Sequence, residues 1–132
     1  MRLWNPRRFA AGNPAGRKGA TIKPTVLLKK MRAALADRKA EDMLAFDVRR
    51  VSDITDYVLL ASAGSTPHLR ALTEEMERVL EEQGVRQYRI SGEPSTGWVV
   101  VDCLDVVAHL MLEDKRKYYA LEELWERAPR VR

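Results

Sequence analysis

Apolar positions recur along this chain in two rhythms, and the rhythms divide it into elements. Between Thr25 and Arg38, Leu27, Met31, Ala34 and Leu35 fall on one face at helical spacing, with Thr25 placed to cap. Met43–Val48 reads as a strand, Val51–Asp56 as a polar turn and Tyr57–Ala63 as a second strand. Gly64-Ser65-Thr66-Pro67 is a helix entrance, because Thr66 can accept a free N–H and Pro67 arrives with its φ preset. The helix it opens carries Leu69, Leu72, Met76, Val79 and Leu80 on one side and Glu74, Glu75, Glu77, Glu81 and Glu82 on the other, up to Gly84. A short strand is predicted near Gln87–Ile90 and a loop over Ser91–Gly97. Trp98–Cys103 and Val106–Leu112 are the strongest strand candidates, joined by a tight turn at Leu104-Asp105. Glu113–Lys117 is a charged stretch, and Tyr118–Arg127 predicts a last helix with Leu121, Leu124 and Trp125 on one side, ended by Pro129. The sum is one small α/β domain: a mixed sheet of about five strands with flanking helices.

Residues 1–24 stand outside both rhythms. They hold three of the seven glycines and three of the six prolines, and read as a flexible arm before a domain at 25–128 and a short tail at 129–132. At 132 residues, 45% of them hydrophobic, the chain suits one core. A pI near 9.4 invites a nucleic-acid reading until the charge is placed. Residues 1–36 carry nine basic side chains and no acid, whereas residues 37–132 carry 14 bases against 19 acids. The protein is a basic arm on a mildly acidic body. Arg7, Arg8, Arg17 and Lys18 are candidates for an RNA contact, since such a segment attracts phosphate regardless of sequence. A mitochondrial transit peptide is also Arg-rich and acid-poor, but residues 1–36 contain no serine. The longest apolar runs, Tyr57–Ala61 and Trp98–Val101, are strand-sized and too short to span a bilayer. One cysteine and two histidines argue against a structural zinc site, and neither a metal nor a cofactor is expected. With no secretory signal and no disulfide to form, a reducing compartment is expected, cytoplasmic in a bacterium or the matrix of a mitochondrion or plastid.

The densest polar group is Asp102, Cys103, Asp105 and His109. Strand alternation puts Trp98, Val100 and Asp102 on one face, and Val107, His109 and Met111 on one face of the next strand, so a carboxylate and an imidazole can meet across the hairpin. Three readings stay open: a divalent ion on Asp102 and Asp105, turn chemistry, or a polar patch that meets a partner. Two-metal nucleotidyl chemistry uses carboxylates one residue apart on a strand, and these are three apart with a turn between. Gly64-Ser65 is a second phosphate candidate, weakened by the missing lysine of a P-loop. A nucleotidyl- or phosphoryl-transfer enzyme using Gly64, Ser65, Asp102 and Asp105 with magnesium is therefore the alternative to a binding protein. Cys103 reads as a small part-buried apolar residue and His68 as a surface one. Trp98 opens a strand after a glycine-bearing loop, where tryptophan is either core or an interface anchor. Of Tyr118 and Tyr119, one is expected to pack inward.

Five segments in order carry a resemblance: Lys39-Ala40-Glu41-Asp42, Ile54-Thr55-Asp56-Tyr57, Trp98-Val99-Val100-Val101-Asp102, Asp105-Val106-Val107-Ala108-His109, and Tyr119-x-Leu121-Glu122-x-Leu124-Trp125. Over about residues 25–126 the chain resembles the ribosomal silencing factor family, also called Iojap-like or RsfS. The resemblance implies a fold related to nucleotidyltransferases without enzymatic activity, and a homodimer off the ribosome. It implies binding to large-subunit ribosomal protein fourteen, a steric block to joining of the small subunit, and repressed translation when nutrients are scarce. Trp98, Asp102, Asp105 and His109 match the family's most characteristic positions, and Glu93 and Glu113 are further candidates to pair with a basic ribosomal protein. Two departures stand out: Leu104 occupies the place of a usual glycine and Ala108 that of a usual valine. The basic arm lies outside the family pattern.

Overall fold

The computed structural model describes residues 22–132. Helix α1, Pro24–Asp37, starts one residue before the predicted cap: Lys23 holds the N-cap position, Pro24 the first turn, and Thr25 lies inside. It buries Leu27, Leu28, Met31, Ala34 and Leu35. Lys39 then adopts a left-handed φ of 63° and the Ala40 N–H reaches the Leu35 carbonyl at 3.0 Å, which closes the helix end.

Strands β1 (Glu41–Asp47) and β2 (Tyr57–Ala63) pair antiparallel, with a bulge between Glu41 and Leu44 where Asp42 takes a φ of 48°. Helix α2, Thr66–Glu82, is capped by Ser65 rather than Thr66: the His68 N–H donates to Ser65 Oγ at 3.2 Å. His68 adds a second brace. Its Nδ1 accepts from the Gly64 N–H at 3.0 Å and its Nε2 lies 2.8 Å from the Arg38 carbonyl, tying α1's end to α2's start.

Strand β3 is Arg89–Glu93, three residues further on than predicted at its end, so part of the expected loop is sheet. A 3₁₀ turn, Pro94–Thr96, leads into β4 (Trp98–Asp102), and β5 is Val106–Leu112 as predicted. Gly92 has a φ of 82°, and a Cβ there would collide with the Trp98 carbonyl oxygen, so only glycine lets β3 lie against β4 at this point.

The last helix is misplaced by the sequence reading. Helix α3 occupies Glu113–Tyr119, Ala120 breaks it with a φ of 45°, and Leu121–Trp125 is a 3₁₀ turn. The charges explain the shift. Glu113 and Asp114 sit in the first turn and Arg116 and Lys117 in the last, each complementing the helix dipole. Residues 129–131 then run along the outer edge of β1: the Asp47 N–H donates to the Pro129 carbonyl and the Val131 N–H to the Ala45 carbonyl, both at 2.8 Å. An edge strand is thereby covered.

The sheet order is β1-β2-β5-β4-β3, with β2 and β5 parallel and every other pair antiparallel. Helices α1 and α2 pad one face, packing on Leu59, Ala61, Val99, Val101, Ala108 and Leu110. This is the expected α/β architecture with a five-stranded mixed sheet.

Candidate partner-binding face

The opposite face of the sheet is built differently. Registered pairs place Val58 beside Val107, Leu60 beside His109 and Ser62 beside Met111; Val100 flanks His109 on its other side and Trp98 flanks Met111. Alternation turns these side chains away from α1 and α2. The cover is the C-terminal strap, α3 and the turn after it, with Leu121 packing on both the Trp98–Val100–Val107–Met111 cluster and the Phe46–Val48–Val58–Leu60 cluster.

Two polar fasteners hold this face. Trp98 donates its indole N–H to His109 Nδ1 at 3.1 Å, and the two rings lie 5.9 Å apart. That bond requires an unprotonated Nδ1. Burial works the same way, pushing the imidazole down to about 4, so His109 is neutral. The second fastener is Arg116. Its Nη1 donates to Ser62 Oγ at 2.9 Å, its Nε lies 3.4 Å from Glu122 Oε1, and the residue is only 6% exposed. A buried guanidinium tied to the end of β2 fixes α3 in place.

Neither tyrosine is core, contrary to expectation. Tyr119 sets its ring 4.7 Å from Trp98 but stays 37% exposed, and Tyr118 meets Tyr119 edge-on at 4.9 Å and is 80% exposed. Leu124, further along the strap, is 70% exposed beside the hollow that Val51 lines. Sequence reading missed Arg116 and Leu124 here. Acids before bases in Glu113–Lys117 signal the helix that places Arg116; nothing in the sequence signals that Leu124 faces out.

Trp98 itself is corrected in one respect: it is 5% exposed beneath Tyr119, so in the free chain it supports the surface rather than forming it. Glu93 pairs with Trp98 across β3 and β4, and Glu113 opens α3; both are exposed near this end of the sheet. Asp102 and Asp105 lie at the other end. Asp102 is buried; its Oδ1 accepts the Leu104 N–H at 2.9 Å, and desolvation raises its carboxyl above the usual range. Through its backbone, Asp105 seats the start of β2, its carbonyl accepting the Asp56 and Tyr57 N–H groups at 3.0 Å each. For Asp102 this is turn chemistry, the second of the three readings, and it leaves room for the third, since Asp105 is partly exposed. Cys103 is buried, with its thiol on the Val106 carbonyl at 3.0 Å, a structural role.

The magnesium arrangement is taken apart by topology. Tyr57 registers with Val106, next to Asp105, while Ala63, next to Gly64, registers with Leu112. Gly64-Ser65 and the two aspartates therefore sit at opposite ends of β2, about 20 Å apart for a strand of that length. Among the described residues no three His, Cys, Asp or Glu side chains gather as a metal-binding set. Arg7, Arg8, Arg17 and Lys18 lie outside the described residues.

A five-stranded mixed sheet padded on one side by helices, with a fastened strap on the other, defines a small α/β domain. The family described as ribosomal silencing factor during starvation matches residues 21–132. The chain belongs to the ribosomal silencing factor (RsfS) family, a family of ribosome-associated regulators rather than enzymes. It is 38% identical over 98 residues to the ribosomal silencing factor RsfS of Halalkalibacterium halodurans, covering 74% of this chain and 84% of that one. The RsfS of Bacillus subtilis is 38% identical over 103 residues, 78% of this chain and 87% of its own. A mouse protein named for mitochondrial assembly of the ribosomal large subunit is 30% identical over 85% of this chain and 49% of its own length. A crystal structure of a Chromobacterium violaceum protein superposes with a TM-score of 0.76 at 31% identity, over 80% of this chain and 88% of that one.

Proposed function

We propose that this protein binds the large ribosomal subunit through its ribosomal protein fourteen, blocks joining of the small subunit by occupying that surface, and so represses translation. The observation that carries this reading is the strap: exposed Tyr118 on Tyr119, held over a buried Trp98–His109 pair by Arg116. Exposed aromatics on a fixed support are what an interface anchor requires, since little conformational freedom is left to lose on binding. Glu93 and Glu113 flank the strap and suit the rim of a contact with a basic protein, where they orient the encounter. His109 acts from within, beneath the strap, while Asp102 and Asp105 shape the turn at the other end of the sheet. Off the ribosome the same patch is available to a second copy, so self-pairing competes with ribosome binding. No helix among the described residues is long and apolar enough to cross a membrane, and the site of action is wherever the ribosomes are.

Sedimentation of separated subunits tests the reading. Saturating protein is expected to deplete the joined-ribosome peak, and Tyr118→Glu, a change on an exposed side chain, to restore it. A joined peak untouched by the unaltered protein would sink the proposal.

A further inference from the structure

The acidic body is not evenly acidic. On the outside of α2 exposed acids and bases are mixed: Glu74, Glu81 and Glu82 stand with Arg70 and Arg78, and Arg78 pairs with Glu75 and Glu82. At the β1 edge of the sheet, the turn after that strand and the C-terminal tail bring arginines together. Asp47, Arg49, Arg50 and Pro129 line one cleft of about 520 Å³, and an adjoining hollow runs from Val51 to Arg127. Arg130 is bridged to Phe46 on the edge of β1. Arg49 is tied to Asp47, with Nη2 2.6 Å from Oδ2. Arg50, Arg127 and Arg130 are exposed, and among the described residues they enter no ion pair within 4.0 Å. Glu123 and Glu126 line the hollow beyond and bound the patch on that side.

We propose that this edge grips the phosphate backbone of RNA. Guanidinium forks match phosphate oxygens, and arginines left without a protein carboxylate pay little to exchange water for phosphate. This contact is separate from the arm and adjoins the strap, whose Leu124 and Trp125 line the same hollow as Arg127. It rests on the reading that the ribosome is the partner, and would give the protein a second hold there.

The test uses the full chain and a short labelled RNA duplex, titrated across salt concentrations. The Arg50→Gln/Arg127→Gln/Arg130→Gln protein is expected to bind about tenfold or more weakly near 100 mM salt, with a salt slope shallower by about two to three. Arg70→Gln, an exposed change on α2, is expected to alter neither. Arg50→Gln/Arg127→Gln repeats the measurement with Arg130 and the tail's bridge to β1 intact. Unchanged affinity and slope in both multiple variants would overturn the proposal. So would a loss confined to isolated ribosomal protein fourteen, which would make the edge a protein contact. Failure of the unaltered protein to separate subunits would instead strike the proposed function and leave the RNA result standing.

Discussion

The two faces of the sheet solve the same problem by different means. Beneath α1 and α2 the contacts are apolar throughout: Leu59, Ala61, Val99, Val101 and Leu110 meet Leu35, Leu69, Leu72, Met76 and Leu80. Nothing there depends on direction, so size and hydrophobicity suffice. Under the strap, apolar contacts are interrupted by an indole–imidazole bond and a guanidinium–hydroxyl bond, both buried. Such bonds add little net stability but cost much if half-made. They hold one arrangement of a short segment that has few contacts of its own. The helix face makes the fold; the strap face makes a surface.

The difference can be broken most forcefully at Trp98. Trp98→Ala empties a large site and leaves His109 Nδ1 without its donor, an expected loss of about 3–5 kcal/mol in urea denaturation. Leu72→Ala on the helix face is expected to cost a comparable amount. The conservative variants separate the faces. Trp98→Phe keeps a ring but loses the N–H and is expected to cost about 1–3 kcal/mol and to weaken ribosome binding through the displaced Tyr119. Leu72→Met is expected to cost less than about 1.5 kcal/mol and leave binding unchanged. Equal behaviour of the two conservative variants in binding would erase the distinction.

A smaller effect sharpens the same contrast through pH. His109 is held near 4 by burial, below the ordinary histidine value of 6.5. The unfolded chain therefore takes up the proton first, and stability falls as pH drops from about 6.5 toward 4. Between pH 6.5 and 5 the expected loss is about 2 kcal/mol. Asp47 and Glu75, whose carboxyls their arginine partners hold low, begin to lose stability only below their ordinary 3.8 and 4.5. Asp102 works in the opposite sense: its raised carboxyl makes protonation a relief. His109→Gln is expected to remove most of the decline in that upper window, read as the difference in denaturant midpoint at the two pH values. A slope that survives the substitution would place its source elsewhere.

How much of this was legible follows the same division. The helix face was readable because its residues obey one period each: Leu69, Leu72 and Met76 repeat at helical spacing, and β2 is one apolar run. The strap was not, because its arrangement rests on Arg116 reaching Ser62, 54 residues away in sequence, and on Ala120 adopting a backbone that alanine rarely takes. The dispersal of Gly64-Ser65 from Asp102 and Asp105 depends on β2 and β5 being parallel with β4 reversed, which no local spacing encodes.

One local departure was legible and gains its reason from the backbone. Leu104, where related sequences were expected to carry glycine, has a φ of 70°. Its N–H is held by Asp102 Oδ1 at 2.9 Å, and the Asp105 N–H reaches the Cys103 carbonyl at 2.9 Å, so the turn leaves it no other conformation. A side chain in that region costs about 1–2 kcal/mol, while glycine there costs only its extra freedom in the unfolded chain. Leu104→Gly is therefore expected to stabilise by up to about 1 kcal/mol, read as a higher denaturant midpoint with an unchanged slope. Leu104→Ala, with the same backbone conflict and less apolar surface, is expected to gain nothing. The turn lies at the far end of the sheet from Tyr118, so neither change should alter ribosome binding. A destabilised glycine variant would mean that the Leu104 side chain contributes more than its backbone conformation costs.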